Sequence, residues 1–208
     1  MRKVLSRLSW YLGFVMILCS VGFWPVIARA EAQTARQVVE QFQEELLAVM
    51  KQGKTLGYAG RYEKLAPVVA RSHDLDKIVR IVIGKEWKNL TESQQQQIHD
   101  RFAQLSIASY AYNFNDYAGE SFRFDSEEET GRGGVIVHTY FVIPDESKEV
   151  RFDYMMKESA GTWKIINIIA NGVSDLALKR SEYTSILQRE GFDALLAKID
   201  DKIKQYSK

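Results

Sequence analysis

The stretch Trp163–Arg189 (WKIINIIANGVSDLALKRSEYTSILQR) changes hydrophobic period at one turn, which limits the chain to folds where a buried strand hands over to a packed helix. From Trp163 to Ala170 both alternating sets are apolar, with Trp163, Ile165 and Ile169 on one side and Ile166, Ile168 and Ala170 on the other. Both faces of that strand need cover. Asn171-Gly172 breaks the run with a turn dipeptide, Ser174 is placed to cap the next segment, and Leu176, Leu178, Tyr183, Ile186 and Leu187 continue at helical spacing.

A chain of 208 residues that is 46% apolar can bury one substantial core. Its formal net charge of +1, with no basic block in the body of the chain, argues against nucleic acid as a partner. Residues 1–30 read as a cleavable secretory signal peptide: Arg2, Lys3 and Arg7 make a basic start, Trp10 to Trp24 an apolar run, and Ala28-Arg29-Ala30 a small-residue cleavage site. The apolar run is short for a membrane span of about 20 residues. Cleavage removes four Lys/Arg and no Asp/Glu, which takes the charge from +1 to −3 for residues 31–208. The lone cysteine, Cys19, leaves with the leader, so the mature domain has no disulfide, thiolate metal site or Cys nucleophile.

In the mature chain, Thr34 to Met50 is an amphipathic helix with Val38, Val39, Phe42, Leu46, Leu47 and Val49 inward, ended by Gly53 and Gly57. Tyr62 to Ala70 gives a short helical piece, and Asp74 caps another from Leu75 to Ile83, stopped at Gly84. Thr91-Glu92-Ser93-Gln94 has capping-box spacing and opens the longest helix, where Ile98, Phe102, Leu105, Ser109 and Tyr112 recur at intervals of four and three. After Gly119 the period switches to four strands: Ser121–Asp125, Val135–Ile143, Val150–Met156 and Trp163–Ala170. Their short connections predict an antiparallel meander. Gly191 separates the helix after Ser174 from a last one, Phe192–Tyr206. The expected fold is a single α+β domain, a curved four-stranded antiparallel sheet packed with helices from both chain ends.

Catalytic and metal-binding patterns are weak. His73, His99 and His138 are the only histidines and none has ligand spacing; His99 reads as solvated and His138 as a hydrogen-bonded packing residue. Gly172-Val173-Ser174-Asp175 lacks the second glycine of a nucleophile elbow, which leaves Ser174 as a helix cap. Gly131, Gly133 and Gly134 join two strands with no following helix, so a hairpin turn fits them better than a phosphate loop, and Glu127–Glu129 are a solvated strand end. An enzyme on a cone-shaped α+β fold is the competing class, with Asp153 or Tyr154 as acid or base, but alternation turns Asp153 toward water. A ligand-free assembly factor with a solid core is a third.

The informative signal is apolar excess. Val135, Val137, Thr139, Phe141 and Ile143 form one set of their strand, and Ile136, His138, Tyr140 and Val142 the other, so this strand too is apolar on both sides. An antiparallel sheet over a single core usually leaves one face polar. Either helices pack on both faces, or one face lines a cavity. Two acyl chains of some thirty methylenes would lose roughly 20 kcal/mol if carried bare through water, and an enclosed apolar cavity removes that penalty.

Trp163-Lys164, Gly172-Val173-Ser174 and Arg180-Ser181 with Tyr183, in this spacing, resemble the signature of the MlaC/toluene-tolerance (Ttg2D-like) family of periplasmic lipid-binding proteins. The resemblance covers most of Tyr62 to Leu196. His73-Asp74-Leu75 with Gly84-Lys85-Glu86-Trp87 is similar to the family's D-x-x-x-(apolar)…G-x-x-W segment, Gln95 to Phe102 to its Q…F helix, and Tyr110-Ala111 to that helix's end. NIIANGVSDLALKRSEY looks closest to the branch encoded with hopanoid biosynthesis, HpnM.

The resemblance implies a periplasmic shuttle that encloses the acyl chains of a phospholipid, or a hopanoid, between a curved sheet and helices. It implies transient partners in an inner-membrane MCE/ABC transporter complex and an outer-membrane lipoprotein complex, with no cofactor and no catalysis. Asn167 and Asn171 stand where the phospholipid carriers are expected to have acidic residues. By position, the expected lipid-lining residues are Phe102, Ile107, Tyr110 and Phe114, then Tyr140 and Val142, Phe152 and Tyr154, and Ile166 and Ile168.

Overall fold

The computed structural model describes residues 32–144 and 149–208. The leader assigned to residues 1–30, with Cys19, lies outside them. Six helices and five strands follow in the order α1 Ala35–Met50, α2 Gly53–Ser72, α3 Leu75–Ile83, α4 Glu92–Asn113, β1 Ser121–Thr130, β2 Gly134–Val142, β3 Val150–Ser159, β4 Thr162–Ala170, β5 Val173–Ser174, α5 Asp175–Arg189 and α6 Phe192–Tyr206. A 3₁₀ turn, Gly84–Asn89, joins α3 to α4. No described helix is long and apolar enough to cross a membrane.

Local chemistry explains most of the boundaries. Thr34 and Thr91 each close a capping box, with Gln37 and Gln94 respectively, and Asp74 accepts the Lys77 amide at 3.0 Å. The sheet is an antiparallel meander in strand order β1-β2-β3-β4-β5, one strand more than expected. The extra strand arises at Asn171-Gly172, where φ values of 47° and 82° suit a two-residue hairpin turn, so the chain doubles back on Ala170 before α5 begins. β1 runs five residues past its expected end, since Glu127–Glu129 pair with Val137–Val135 while remaining exposed. Bulges at Asp125 in β1 and Ile166 in β4 interrupt the ladders, a device that bends strands.

The two glycines expected to end α1 act otherwise. Gly53 is buried at the start of α2, where a Cβ would lie 2.1 Å from the Asn115 carbonyl oxygen. Gly57, at φ 61°, breaks α2 without ending it, so the helix begins nine residues before Tyr62.

Two apolar cores result. One packs α1, α2 and the end of α4 on the inner face of the sheet, through Val39, Phe42, Leu65, Ala111, Val137, Tyr154 and Ile165. The other joins α3, the first half of α4, α5 and α6 through Val79, Ile83, Ile98, Phe102, Tyr183 and Leu195. The family-like motifs serve this second core: the Arg180 guanidinium lies against Gly84, and Gln188 donates to Glu86 at 3.1 Å.

Arg61 is buried, and its partners are main-chain carbonyls: Nε donates to Ala111 O and Nη1 to Gly53 O, both at 2.7 Å. It thereby ties the last turn of α4 to the first of α2. Arg61→Met strands both carbonyls and is expected to lower stability by about 2–4 kcal/mol, read as a fall in the urea midpoint at unchanged slope.

Candidate functional site

A cavity of about 210 Å³ lies where the two cores meet. Phe42 and Leu46 of α1, Tyr154 of β3 and Ile165 of β4 wall it from the first core, and Leu75, Ile78 and Phe102 from the second. α4 belongs to both cores and runs along the cavity, contributing Phe102, Ser106, Ser109 and Tyr110, with Phe114 following at its C-cap. Val173, Asp175, Leu176 and Lys179, at the start of α5, complete the lining.

The polar groups in this wall satisfy one another. Ser72 donates its hydroxyl hydrogen to Val68 O at 2.7 Å, so its oxygen accepts from His73 Nδ1–H at 2.8 Å; His73 Nε2 then accepts the Tyr110 hydroxyl at 2.9 Å. Burial holds the His73 ring neutral, with its pKa pushed down to about 3 against a weaker raising effect of the Val69 carbonyl. Burial also pushes the Tyr110 and Tyr154 phenols well above their ordinary range. Ser106 donates to Phe102 O at 2.9 Å. Among the described residues no buried side-chain nitrogen or oxygen lacks a hydrogen bond. The wall is mostly apolar, and its charged members, Lys179 and Asp175, are paired with each other.

Seven of the ten expected lining residues reach the cavity: Phe102, Tyr110, Phe114, Phe152, Tyr154, Ile166 and Ile168. Three do not. Ile107 packs into the first core. Tyr140 and Val142 stand on the opposite face of β2 from the buried Val137 and Thr139, and the Arg123 guanidinium covers the Tyr140 ring at 4.5 Å. Strand parity misled at β4 as well. The bulge at Ile166 sets Ile165 opposite Met156 and Ile168 opposite Tyr154, so Ile165 and Ile168 share the inner face that alternation assigned to different sides.

On that outer face Ile136, Tyr140 and Val142 are half-buried, so β2 carries apolar residues on both sides. Asp153 is on it too. It does not face open water; His138 Nδ1 lies 2.6 Å from its carboxylate and Arg151 Nε donates at 2.8 Å. Burial pushes the Asp153 carboxyl up, but these hydrogen bonds together outweigh it and hold it below the usual carboxylate range, the reverse of what a general acid needs. His138 is thus a hydrogen-bonded packing residue, while His99 is half-buried beside Asp100. Ser174 caps α5 by accepting the Ala177 amide at 3.1 Å, and Asn167 accepts the Ser174 hydroxyl at 3.2 Å. Asn171 accepts the Arg151 amide at 2.9 Å, so both asparagines hold the β4–α5 turn. Among the described residues no group of three or more His, Cys, Asp or Glu converges on a point that could hold a metal ion.

Sequence reasoning missed Phe42, Leu46, His73, Leu75 and Ile78. Their helical stripes were visible as inward faces, but which core, and which side of the cavity, depends on where α1 and the α2–α3 junction land on the sheet.

The fold and its neutral apolar cavity define a class: a small α+β domain built round an internal binding space. The MlaC protein family model matches residues 40–201, and the chain belongs to that family. It is 24% identical to the intermembrane phospholipid transport system binding protein MlaC of Haemophilus influenzae over 127 residues, 60% of this chain and 59% of that protein. To the toluene tolerance protein ttg2D of Pseudomonas putida it is 22% identical over 182 residues, 85% of this chain and 83% of the other. A phospholipid-binding protein of Ralstonia solanacearum, solved in complex with a phospholipid, superposes with a TM-score of 0.74 at 21% identity, covering 85% of this chain and all of that one.

The sign of the His73 shift fixes a pH window. Above about 6.5 the ring is neutral whether the chain is folded or unfolded; between 6.5 and about 3 only the unfolded chain takes the proton. Stability is therefore expected to fall with acidification across that window, by up to about 1.4 kcal/mol per pH unit from this group. Urea midpoints taken from pH 7 to pH 4 check this, and His73→Phe should flatten the slope even though it lowers the midpoint at pH 7.

Proposed function

We propose that the protein is a periplasmic lipid carrier that encloses the acyl chains of a phospholipid between its two cores while the headgroup stays outside. The observation that carries this reading is the cavity itself: mostly apolar, bounded by both cores, and with its buried polar side chains already bonded. Each methylene moved from water into such a space is worth about 0.8 kcal/mol, which makes acyl chains the natural occupant. Its volume of about 210 Å³ is below the roughly 300–1,000 Å³ of ordinary ligand pockets, so a two-chain lipid enters only as the walls part.

Two similar proteins support the same reading, one an intermembrane phospholipid transport system binding protein and the other solved as a phospholipid-binding protein. In this reading residues 1–30 export the chain, and it meets an inner-membrane MCE/ABC transporter complex and an outer-membrane lipoprotein complex transiently. It carries its ligand and does not transform it. A hopanoid is the second cargo, favoured by the HpnM-like run Asn167–Tyr183.

The test is an organic extract of the exported protein, purified from its periplasm without detergent and read by mass spectrometry. A near-stoichiometric phospholipid supports the carrier reading, a polycyclic triterpenoid changes the cargo, and an empty extract with no uptake from vesicles overturns it. Ile166→Trp, whose ring would fill the cavity, should cut bound lipid several-fold with the urea midpoint nearly kept. Unchanged lipid content would move the cargo elsewhere.

A further inference from the structure

On its α1 side the cavity has a neighbour. A groove of about 230 Å³ lies between α1, the end of α2 and the start of β4, and among the described residues Phe42 alone lines both spaces. They are successive stretches along the same elements. On α1 the groove takes Val38 and the cavity Leu46, one turn to either side of Phe42; on β4 the groove takes Trp163 and the cavity Ile165, neighbours on one face of the strand.

The floor of the groove is apolar, with Val38 and Val68 buried and Trp163 half-buried. The charged groups at its rim are already engaged: Arg71 pairs with Glu45, and Lys164 donates to the Arg71 carbonyl. Phe42 stands between the two spaces in edge-to-face contact with His73, Tyr110 and Tyr154, at 5.1, 5.3 and 6.3 Å between ring centroids. The His73 and Tyr110 rings beside it are held by a hydrogen bond, whereas a phenyl ring makes none. It can turn without stranding a polar group.

A cavity of about 210 Å³ holds a two-chain lipid only if a wall gives way, and Phe42 is the wall residue with an apolar-floored space behind it. Deepening the carrier reading above, on which it rests, we propose that this groove is the distal half of the acyl-chain site and Phe42 its divider. A chain that outgrows the cavity turns the ring aside and lays its methyl end against Trp163, where methylenes otherwise left in water are buried. The space between α5 and α6, also contiguous with the cavity, would set a chain among six charged side chains that need water. Length of chain, not headgroup, then decides whether the groove is occupied.

The experiment reads Trp163, which lines the groove and not the cavity. In the exported protein, freed of Trp10 and Trp24 with the leader, Trp87→Phe leaves Trp163 as the only tryptophan. This protein is delipidated, loaded from phosphatidylcholine vesicles and separated from them, and its bound lipid is counted by mass spectrometry. Bromine quenches indole fluorescence on contact. A long-chain lipid brominated near its methyl end is expected to remove most of the Trp163 emission, while bromines near the carboxyl end, or at the methyl end of a short chain, leave it bright. With Phe42→Leu added the divider is smaller, and the short-chain lipid should quench as well. Bound long-chain lipid with Trp163 still bright, or equal quenching from both ends, overturns the groove assignment and leaves the carrier reading standing. Short-chain lipid that leaves Trp163 bright in Phe42→Leu too overturns Phe42 as the divider. A protein that binds no lipid from any of the vesicles overturns the carrier reading itself.

Discussion

The junction at His73 holds the other parts in place. Its ring links Ser72 at the end of α2 to Tyr110 on α4, its backbone bridges Ile165 of β4, and the amide of Asp74 donates to the Ile165 carbonyl at 3.0 Å. Two helices and the sheet are thus fixed relative to one another at one buried residue, against the cavity wall. Only a neutral imidazole can do this, since the protonated ring would lose the acceptor that Tyr110 needs.

α4 is the second organising element, because among the described elements it alone supplies buried residues to both cores: Ile98, Phe102 and Leu105 to one, Ala111 to the other. Its two ends are anchored by different means, a capping box at Thr91 and the buried Arg61 guanidinium on the Ala111 carbonyl. The cavity is the space left where two separately satisfied cores share one helix. Neither core must open to create it.

Most elements were legible because their signals are local. Caps at Thr91, Asp74 and Ser174, the Asn171-Gly172 turn and the strand periods all appear where the residues put them. What failed was face and register. A bulge at Ile166 reverses the parity of β4, and nothing in IINII marks which residue is the extra one. Tyr140 and Val142 looked like lining since β2 is apolar on both faces, but the arginines that cover its outer face come from β1 and β3 and are invisible to a single-strand pattern. Gly53 resembled a helix stop, and is a contact point with Asn115 instead. Seven lining residues were nevertheless found, because aromatic and aliphatic side chains concentrated on α4 and β3 have few other places to go.

At the free edge of the sheet, β1 leaves one side of its backbone unpaired, yet it bears the bulge at Asp125 and the exposed run Glu127–Glu129. Strand edges of this length invite other chains to add on, and bent, like-charged edges refuse them. Such an edge matters most whenever a domain loosens, because intermolecular β-pairing then competes with reclosure. The bulge and the acidic run guard this edge against intermolecular pairing, a task separate from anything the cavity does.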